Sequence, residues 1–511
     1  MGALALAVLA VAPLTYPGIF QAHSGFLPVF NVTHPTDAPN WGRVPDLVRG
    51  EGGLSYLIAW PFWKLTSSGV TALCWSYGLA FVAAAAACYG WARRWLGRPG
   101  ALLAATVYTY LPWHLSTVYV RGAYGEAWLW ALWPLLLWAV SCLGDWRARP
   151  ASPVALAPLA ALASLVAIAS LAASLWIQPG LTLLFVLMLP LEFGLRRGWR
   201  AGLVGLAALF LAVVAVALIP RPAASVPFGQ HFLYPYQLLS AAWGYGTSVP
   251  GWQDGMSFQV GLVAVALGIL ALVAPGRSVD GGLRRAMRGW AAVLAVVLIA
   301  TLGVTAPLWR VTRLEGLLTY PWQVLAIAGV PLAFLAGAAI RVEPRLAGKP
   351  ALTALSALVI LASALYLTPR FTQVDPGPEP VAVLRPVEAG SPQVLLLQDQ
   401  VAPPGQITST LVLTLTWQAV EPVEADYTVF VHLLAPDGSK VAQRDSRPCD
   451  GACPTNNWQP GTLVLDRHTL ELGATPAPGP YRLAVGLYLL GSGERAAVMG
   501  RDDATVVLDV P

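Results

Sequence analysis

The sequence predicts a polytopic α-helical membrane protein of about eleven transmembrane helices, followed by an extracytoplasmic antiparallel β-sandwich. Three observations carry this. Of 511 residues, 56% are hydrophobic and only 11% are charged, where soluble domains carry roughly a quarter. The charge is also divided: residues 1–370 hold 23 Lys+Arg against 10 Asp+Glu (+13), and residues 371–511 hold 8 against 16 (−8). Finally, long apolar runs give way to period-two alternation near residue 394. The same numbers argue against a water-soluble enzyme and against disordered, collagen-like or coiled-coil chains.

A spanning helix needs about 17–25 mostly apolar residues. Candidates lie at about 2–20, 67–91, 100–114, 126–143, 154–176, 179–194, 201–220, 257–274, 290–307, 319–340 and 351–369. Those at 100–114 and 179–194 are short and call for tilt, re-entry or extended ends. The first lacks a basic leader, and Pro13, Tyr16 and Pro17 stand where a signal peptide has small residues, so it reads as retained.

Taken alternately, one set of connecting loops carries fifteen Lys+Arg and the other seven. The positive-inside rule puts the first set in the cytoplasm, the N-terminus with it, and residues 370–511 outside. The basic residues sit at helix ends and read as orientation signals, not as a nucleic-acid surface. The acids Asp37, Asp46, Glu51, Glu126, Asp254 and Glu315 fall on the outward side; Asp145, Glu192, Asp280 and Glu343 fall near the cytoplasm. Outward loops at about 21–66 and 221–256 are long and rich in Trp, Tyr, Pro and Gly, so function is expected on that face.

From Val394 onward, seven or so alternating runs separated by turns such as Pro436-Asp437-Gly438 predict the sandwich. The expected domains are 1–369 in the membrane, a Pro-rich linker at 370–393, and 394–511 outside. Cys74, Cys88 and Cys142 lie in or beside spans as small hydrophobes. Cys449 and Cys453 predict a short-loop disulfide; the rival is half a zinc site completed by His432 and His468. Trp417 is expected in the sandwich core. The Asn31-Val32-Thr33 sequon is expected to face outward.

No P-loop, dinucleotide fingerprint, HExxH or GxSxG occurs, which leaves cytosolic nucleotide chemistry unsupported. The informative stretch is 108–139, where Arg121 and Glu126 border a hydrophobic helix and His114 precedes them. An ionisable group at a span end is costly unless paired or solvated. The pair is either an interfacial ion pair, meeting across a turn at Gly122, or a phosphate grip in which Arg121 bonds the anion and Glu126 orients it. In 231–261, His231, Tyr236, Gln237, Trp243, Trp252 and Asp254 suit sugar faces and hydroxyls, and equally an interfacial belt. Arg310 and Arg313 bind a second phosphate or anchor a helix end.

The motif YVRGAYGEAWLWALWPLLLWA resembles the bacterial 6-pyruvoyl-tetrahydropterin synthase-related membrane domain, a family that looks like a branch of the GT-C superfamily of integral membrane glycosyltransferases. HFLYPYQLLSAAWGYGTSVPGWQDGMSFQVG and LTYPWQVLAI resemble two further blocks of it, with Tyr320 and Gln323 where Phe and Arg are usual. The resemblance covers roughly residues 20–370. It implies a GT-C-like fold in a bacterial plasma membrane and a polyprenyl-phosphate sugar donor. The acceptor is then an outer glycan, lipid or protein, and no nucleic acid is involved. A carboxylate of the first outward loop acts as base or metal ligand. No cofactor is indicated by the residues alone; the resemblance admits a divalent cation, Mg or Mn. The family's His-Asp motif reads His23-Ser24 here, so the acid passes to Asp46 or Glu51, with Asp37 as a weaker substitute. Arg121, Arg310 and Arg313 then hold the donor phosphate, and His23, His114 and His231 line the substrate. A non-catalytic protein that binds lipid-linked glycan is the alternative that Ser24 favours.

Overall fold

A computed structural model describes residues 2–16, 18–34, 54–146, 153–197, 199–218, 226–241, 244–274, 279–371, 381–385, 394–402, 409–420, 422–472, 479–499, 501 and 503–510. The chain forms two compact bodies. The first comprises Met1–Phe20, Gly42–Ile58 and Cys74–Arg370; the second comprises Gln21–Trp41, Ala59–Leu73 and Phe371–Pro511.

The helices in chain order are α1 (Gly2–Val11), α2 (Leu27–Thr33), α3 (Leu54–Thr66), α4 (Gly69–Tyr110) and α5 (Pro112–Tyr119). Next come α6 (Tyr124–Trp146), α7 (Pro153–Ile177), α8 (Pro179–Val186), α9 (Leu189–Arg197) and α10 (Trp199–Ala217). The last are α11 (Leu262–Val273), α12 (Gly281–Ala300), α13 (Ala306–Thr312), α14 (Leu325–Val342) and α15 (Lys349–Ala362). Among the described residues, four helical segments are long and apolar enough to cross a membrane: Gly69–Tyr119, Tyr124–Gly144, Pro158–Ile177 and Pro321–Val342. This is fewer than the eleven expected. Four more of the candidates correspond to shorter apolar helices, Pro179–Leu195, Gly202–Ala217, Leu262–Val273 and Lys349–Ala362.

The expected spans at 67–91 and 100–114 meet without a loop. Gly97, with φ +71 and ψ −175, breaks α4 into two helices, and Pro99 follows at once. The region 21–66, expected as loop, contains α2 and α3. Asn31 of the sequon lies on α2, and its side chain is fully enclosed.

The first body is organised around α14, enclosed at every position but Arg341 and packed on α11 and α12. Glycines permit this. A Cβ on Gly337 would stand 2.5 Å from the Gly100 carbonyl oxygen, and one on Gly329 would stand 2.4 Å from the Trp130 ring. Small residues let helix backbones approach where lipid gives no hydrophobic drive between helices.

The second body is built on strands β1 (Ala382–Arg385), β2 (Val394–Ala402), β3 (Thr410–Ala419), β4 (Thr428–Leu434), β5 (Lys440–Ser446), β6 (Leu463–Glu471), β7 (Arg482–Tyr488), β8 (Ala497–Val498) and β9 (Val506–Asp509). They form two sheets, β6-β3-β2-β1-β8 and β5-β4-β7-β9, in which all pairings are antiparallel. Alternate residues of β3 (Leu411, Leu413, Leu415, Trp417) join those of β4 (Val429, Val431, Leu433) and β7 (Leu483, Val485, Leu487) in one core, as the period-two pattern requires. Strand β1 lies within the stretch expected as linker and pairs on both sides. Residues 21–34 join this body through backbone groups. Gln418 Oε1 accepts from Phe26 N–H at 2.9 Å, and Gln418 Nε2 donates to the Gly461 carbonyl at 3.0 Å. Gly461 (φ +78) has no room for a Cβ, which would lie 2.4 Å from the Ala22 carbonyl oxygen.

Candidate functional site

The site begins where α5 ends. The amides of Arg121, Gly122 and Ala123 close onto the carbonyls of Ser116, Val118 and Thr117 at 2.9, 3.1 and 3.0 Å. Gly122 takes φ +61, which turns the chain directly into α6. The turn brings Arg121 back over the first turn of α6, where Glu126 sits. The guanidinium bonds the carboxylate through both Nη atoms, Nη2 to Oε1 at 2.8 Å. Only 11% of the Arg121 side chain and 1% of the Glu126 side chain are exposed. A carboxylate in the first turn also meets the positive end of its helix.

Aromatic faces enclose the cation. Arg121 Cζ lies 4.9 Å from the Trp322 ring centroid and 5.6 Å from that of Trp113. Two amides approach the same carboxylate oxygen more distantly, Gln178 Nε2 at 3.5 Å and Gln323 Nε2 at 3.4 Å. Gln323 is held by its own oxygen, which accepts from the amides of Thr319 and Tyr320, each at 3.0 Å. Gln323 thus sets a neutral amide beside the ion pair.

The cluster continues through Trp322. Its ring stacks on Tyr320 at 4.6 Å, and its Nε1 donates to Ser248 Oγ at 3.1 Å. Ser248 Oγ also lies 3.0 Å from His231 Nδ1, and His231 meets Tyr320 edge-on at 5.0 Å. Burial holds the His231 imidazole below the ordinary histidine range, and the Asp254 carboxylate partly opposes this. Asp254 shapes the loop: Oδ2 accepts from Gln237 Nε2 at 2.7 Å and Oδ1 from Val249 N–H at 3.0 Å. Tyr236 donates to the Trp252 carbonyl at 2.6 Å, and both rings are largely exposed.

The structure thus gathers Arg121, Glu126 and His231, with Gln237 and Asp254 in the loop that carries Ser248. Tyr236 and Trp252 lie in the same loop, whereas His114, Arg310 and Arg313 have other surroundings. His114 is buried, stacked flat on Trp130 at 4.1 Å, with Nδ1 3.0 Å from the Tyr108 carbonyl oxygen. Those contacts are packing contacts of the helical core. Arg310 and Arg313 are exposed at the end of α13. His23 is half-buried in the second body. Asp37, Asp46, Glu51 and Trp243 lie outside the described residues. Trp113, Gln178 and Ser248 were not expected in the site. They are apolar-run or loop residues with no local signal, and only the tertiary fold delivers them.

Among the described residues no three His, Cys, Asp or Glu side chains cluster as a metal site. Cys449 and Cys453 are bridged as a disulfide, with Cα atoms 5.4 Å apart, so neither thiol is available as a zinc ligand. His468 lies on β6 and is fully buried, with Nε2 2.7 Å from Asp466 Oδ2.

No family model matches the chain, and no curated protein matches it.

Proposed function

We propose that the protein is an integral membrane glycosyltransferase. It moves a sugar from a polyprenyl-phosphate donor to an extracytoplasmic acceptor (a glycan, a lipid or a protein) in envelope biogenesis. The observation supporting this is the Arg121–Glu126 pair, set at the start of a membrane-length helix and enclosed by Trp113 and Trp322. Trp322, which faces the guanidinium, bonds Ser248 in a loop of Tyr, Trp and amide side chains, and the Arg121 side chain is 11% exposed. In this reading Glu126 fixes the guanidinium plane, and Arg121 takes the lipid phosphate. As the bond from the sugar to the phosphate oxygen breaks, charge builds on the leaving phosphate, and the arginine stabilises it. Tyr236 and Trp252 give the sugar an aromatic wall. Asp46 or Glu51 takes the proton from the acceptor hydroxyl. The topology that accompanies this has the N-terminus in the cytoplasm of a bacterial cell and the β-sandwich outside the plasma membrane.

The test is release of polyprenyl phosphate from polyprenyl-phosphate sugars by the purified, lipid-reconstituted protein. Arg121→Gln should lower release by about 100-fold or more, the scale of losing one transition-state donor. Release retained in both Asp46→Ala and Glu51→Ala would remove the proposed bases. One further observation favours the second reading, a non-catalytic binder of lipid-linked glycan: Ser24 replaces an acid, and Glu126 is already engaged by Arg121. Tight binding of the donor without turnover would establish that reading.

A further inference from the structure

We propose that the segment around α13 lies in the membrane interface and selects anionic phospholipid headgroups. The seven residues of α13 are far too few to span, at about 1.5 Å per residue. Yet Leu308 and Val311, one turn apart on α13, are 61% and 82% exposed and form an apolar stripe, and Val304 on the 3-10 turn just before the helix (Gly303–Thr305) is 76% exposed. Trp309 points the other way. It is buried, donates from Nε1 to the Ala300 carbonyl at 3.0 Å, and packs on Phe228 at 5.2 Å. The inner face is therefore docked, and the outer face is as apolar as a lipid-facing surface. Val296 and Ile299, near the end of α12, are exposed as well.

Charge identifies the occupant. Arg310 stands about 100° around the helix from the stripe, and Arg313 closes the helix in the left-handed region at φ +54. Both are exposed. Glu315 is the one acid between Asp280 and Glu343. An apolar stripe flanked by two arginines is the pattern of an interfacial segment on an anionic leaflet, each cation adding about fivefold in local preference. This rests on the membrane character of the first body, not on the transferase reading. It also gives Arg310 and Arg313 a ligand other than the donor phosphate.

The experiment uses the full chain in nanodiscs, with Val311→Cys carrying a bimane label on a Cys142→Ser background. Cys74 and Cys88 are buried, and Cys449 and Cys453 are bridged. Spin-labelled phosphatidylcholine or phosphatidylglycerol is included at equal mole fraction. The label should be quenched by lipid chains and not by aqueous iodide. Phosphatidylglycerol should quench several-fold more than phosphatidylcholine, and the excess should vanish in Arg310→Gln/Arg313→Gln but persist in Arg310→Lys/Arg313→Lys. Quenching by iodide alone would overturn the interfacial placement. Equal quenching by the two lipids, or a preference unchanged in the double Gln variant, would overturn the headgroup selection. A preference abolished by trace polyprenyl phosphate would assign the arginines to donor lipid instead.

Discussion

Arg121, in the turn after α5, and Glu126, in the first turn of α6, close a two-pronged ion pair across Gly122. Helical spacing would not join them; the left-handed glycine does. The pair is nearly sealed from solvent, so each charge depends on the other.

Breaking it should therefore cost more than the pair contributes. Removing one member of a buried pair typically costs about 3–5 kcal/mol, whereas replacing both with matched neutral groups costs little. Arg121→Gln and Glu126→Gln should each lower the thermal midpoint of the detergent-solubilised protein strongly. The double variant should recover most of the loss. Additive losses would show that the two side chains act separately.

Close helix approach makes a second prediction. Gly337→Val places atoms where the Gly100 carbonyl already stands and should destabilise by about 1–3 kcal/mol or more. Gly491→Ala, with no atom within 4 Å of its Cβ position and no left-handed backbone, is the control and should be near neutral. Denaturant midpoints measured in one detergent compare the two.

Gln418 offers a third. Its buried side chain satisfies the Phe26 amide and the Gly461 carbonyl together. Gln418→Leu leaves both unpaired at about 1–3 kcal/mol each. Hydrogen exchange should then quicken around residues 21–34 and at the end of β3, and remain slow in β4 and β7.

Asp466 predicts a local effect on the disulfide turn. Its carboxylate, fully buried, accepts from Trp417 Nε1 at 3.3 Å, His468 Nε2 at 2.7 Å and Cys449 N–H at 2.8 Å. Asp466→Asn turns one acceptor into a donor facing donors. Proteolysis between β5 and β6 should rise by an order of magnitude while the helical body stays protected. Unchanged cleavage would mean the turn is held by the disulfide alone.

A pH effect follows from His231. Burial disfavours its charged form, so the folded protein takes up this proton at lower pH than the unfolded chain. At low pH the unfolded state binds more protons, so stability rises with pH through this window. The contribution is complete above about pH 6.5 and is lost as pH falls toward the folded value. The midpoint should drop between pH 7.5 and pH 5.5, and less steeply in His231→Gln. Parallel slopes would remove His231 as the source.

Much of the β-body was legible because strands declare themselves locally. Leu411, Leu413, Leu415 and Trp417 alternate in sequence and alternate in burial. Helical segments in the first body were equally plain, but their ends were not. Gly97 and Pro99 end one helix and start the next with no loop between, a break too short to shift composition. Helices α2 and α3 were missed because Trp, Pro and Gly made 21–66 read as loop. Of the site, Arg121 and Glu126 were visible as rare charges in an apolar stretch. Trp113, Gln178 and Ser248 were not, since nothing in their own neighbourhoods sets them apart.

What the sequence by itself determined is what depends on sums and periods: the membrane-like body, the alternating sandwich, the divided charge. These are one-dimensional quantities, and burial free energy follows them directly. The tertiary structure alone decided which residues meet. Glu126 faces Arg121 because one glycine adopts φ +61, and Trp322 covers the cation from some two hundred residues away. Contacts at such separation depend on how helices cross, and crossing is set by pairs such as Gly100 and Gly337 whose partners no local pattern names.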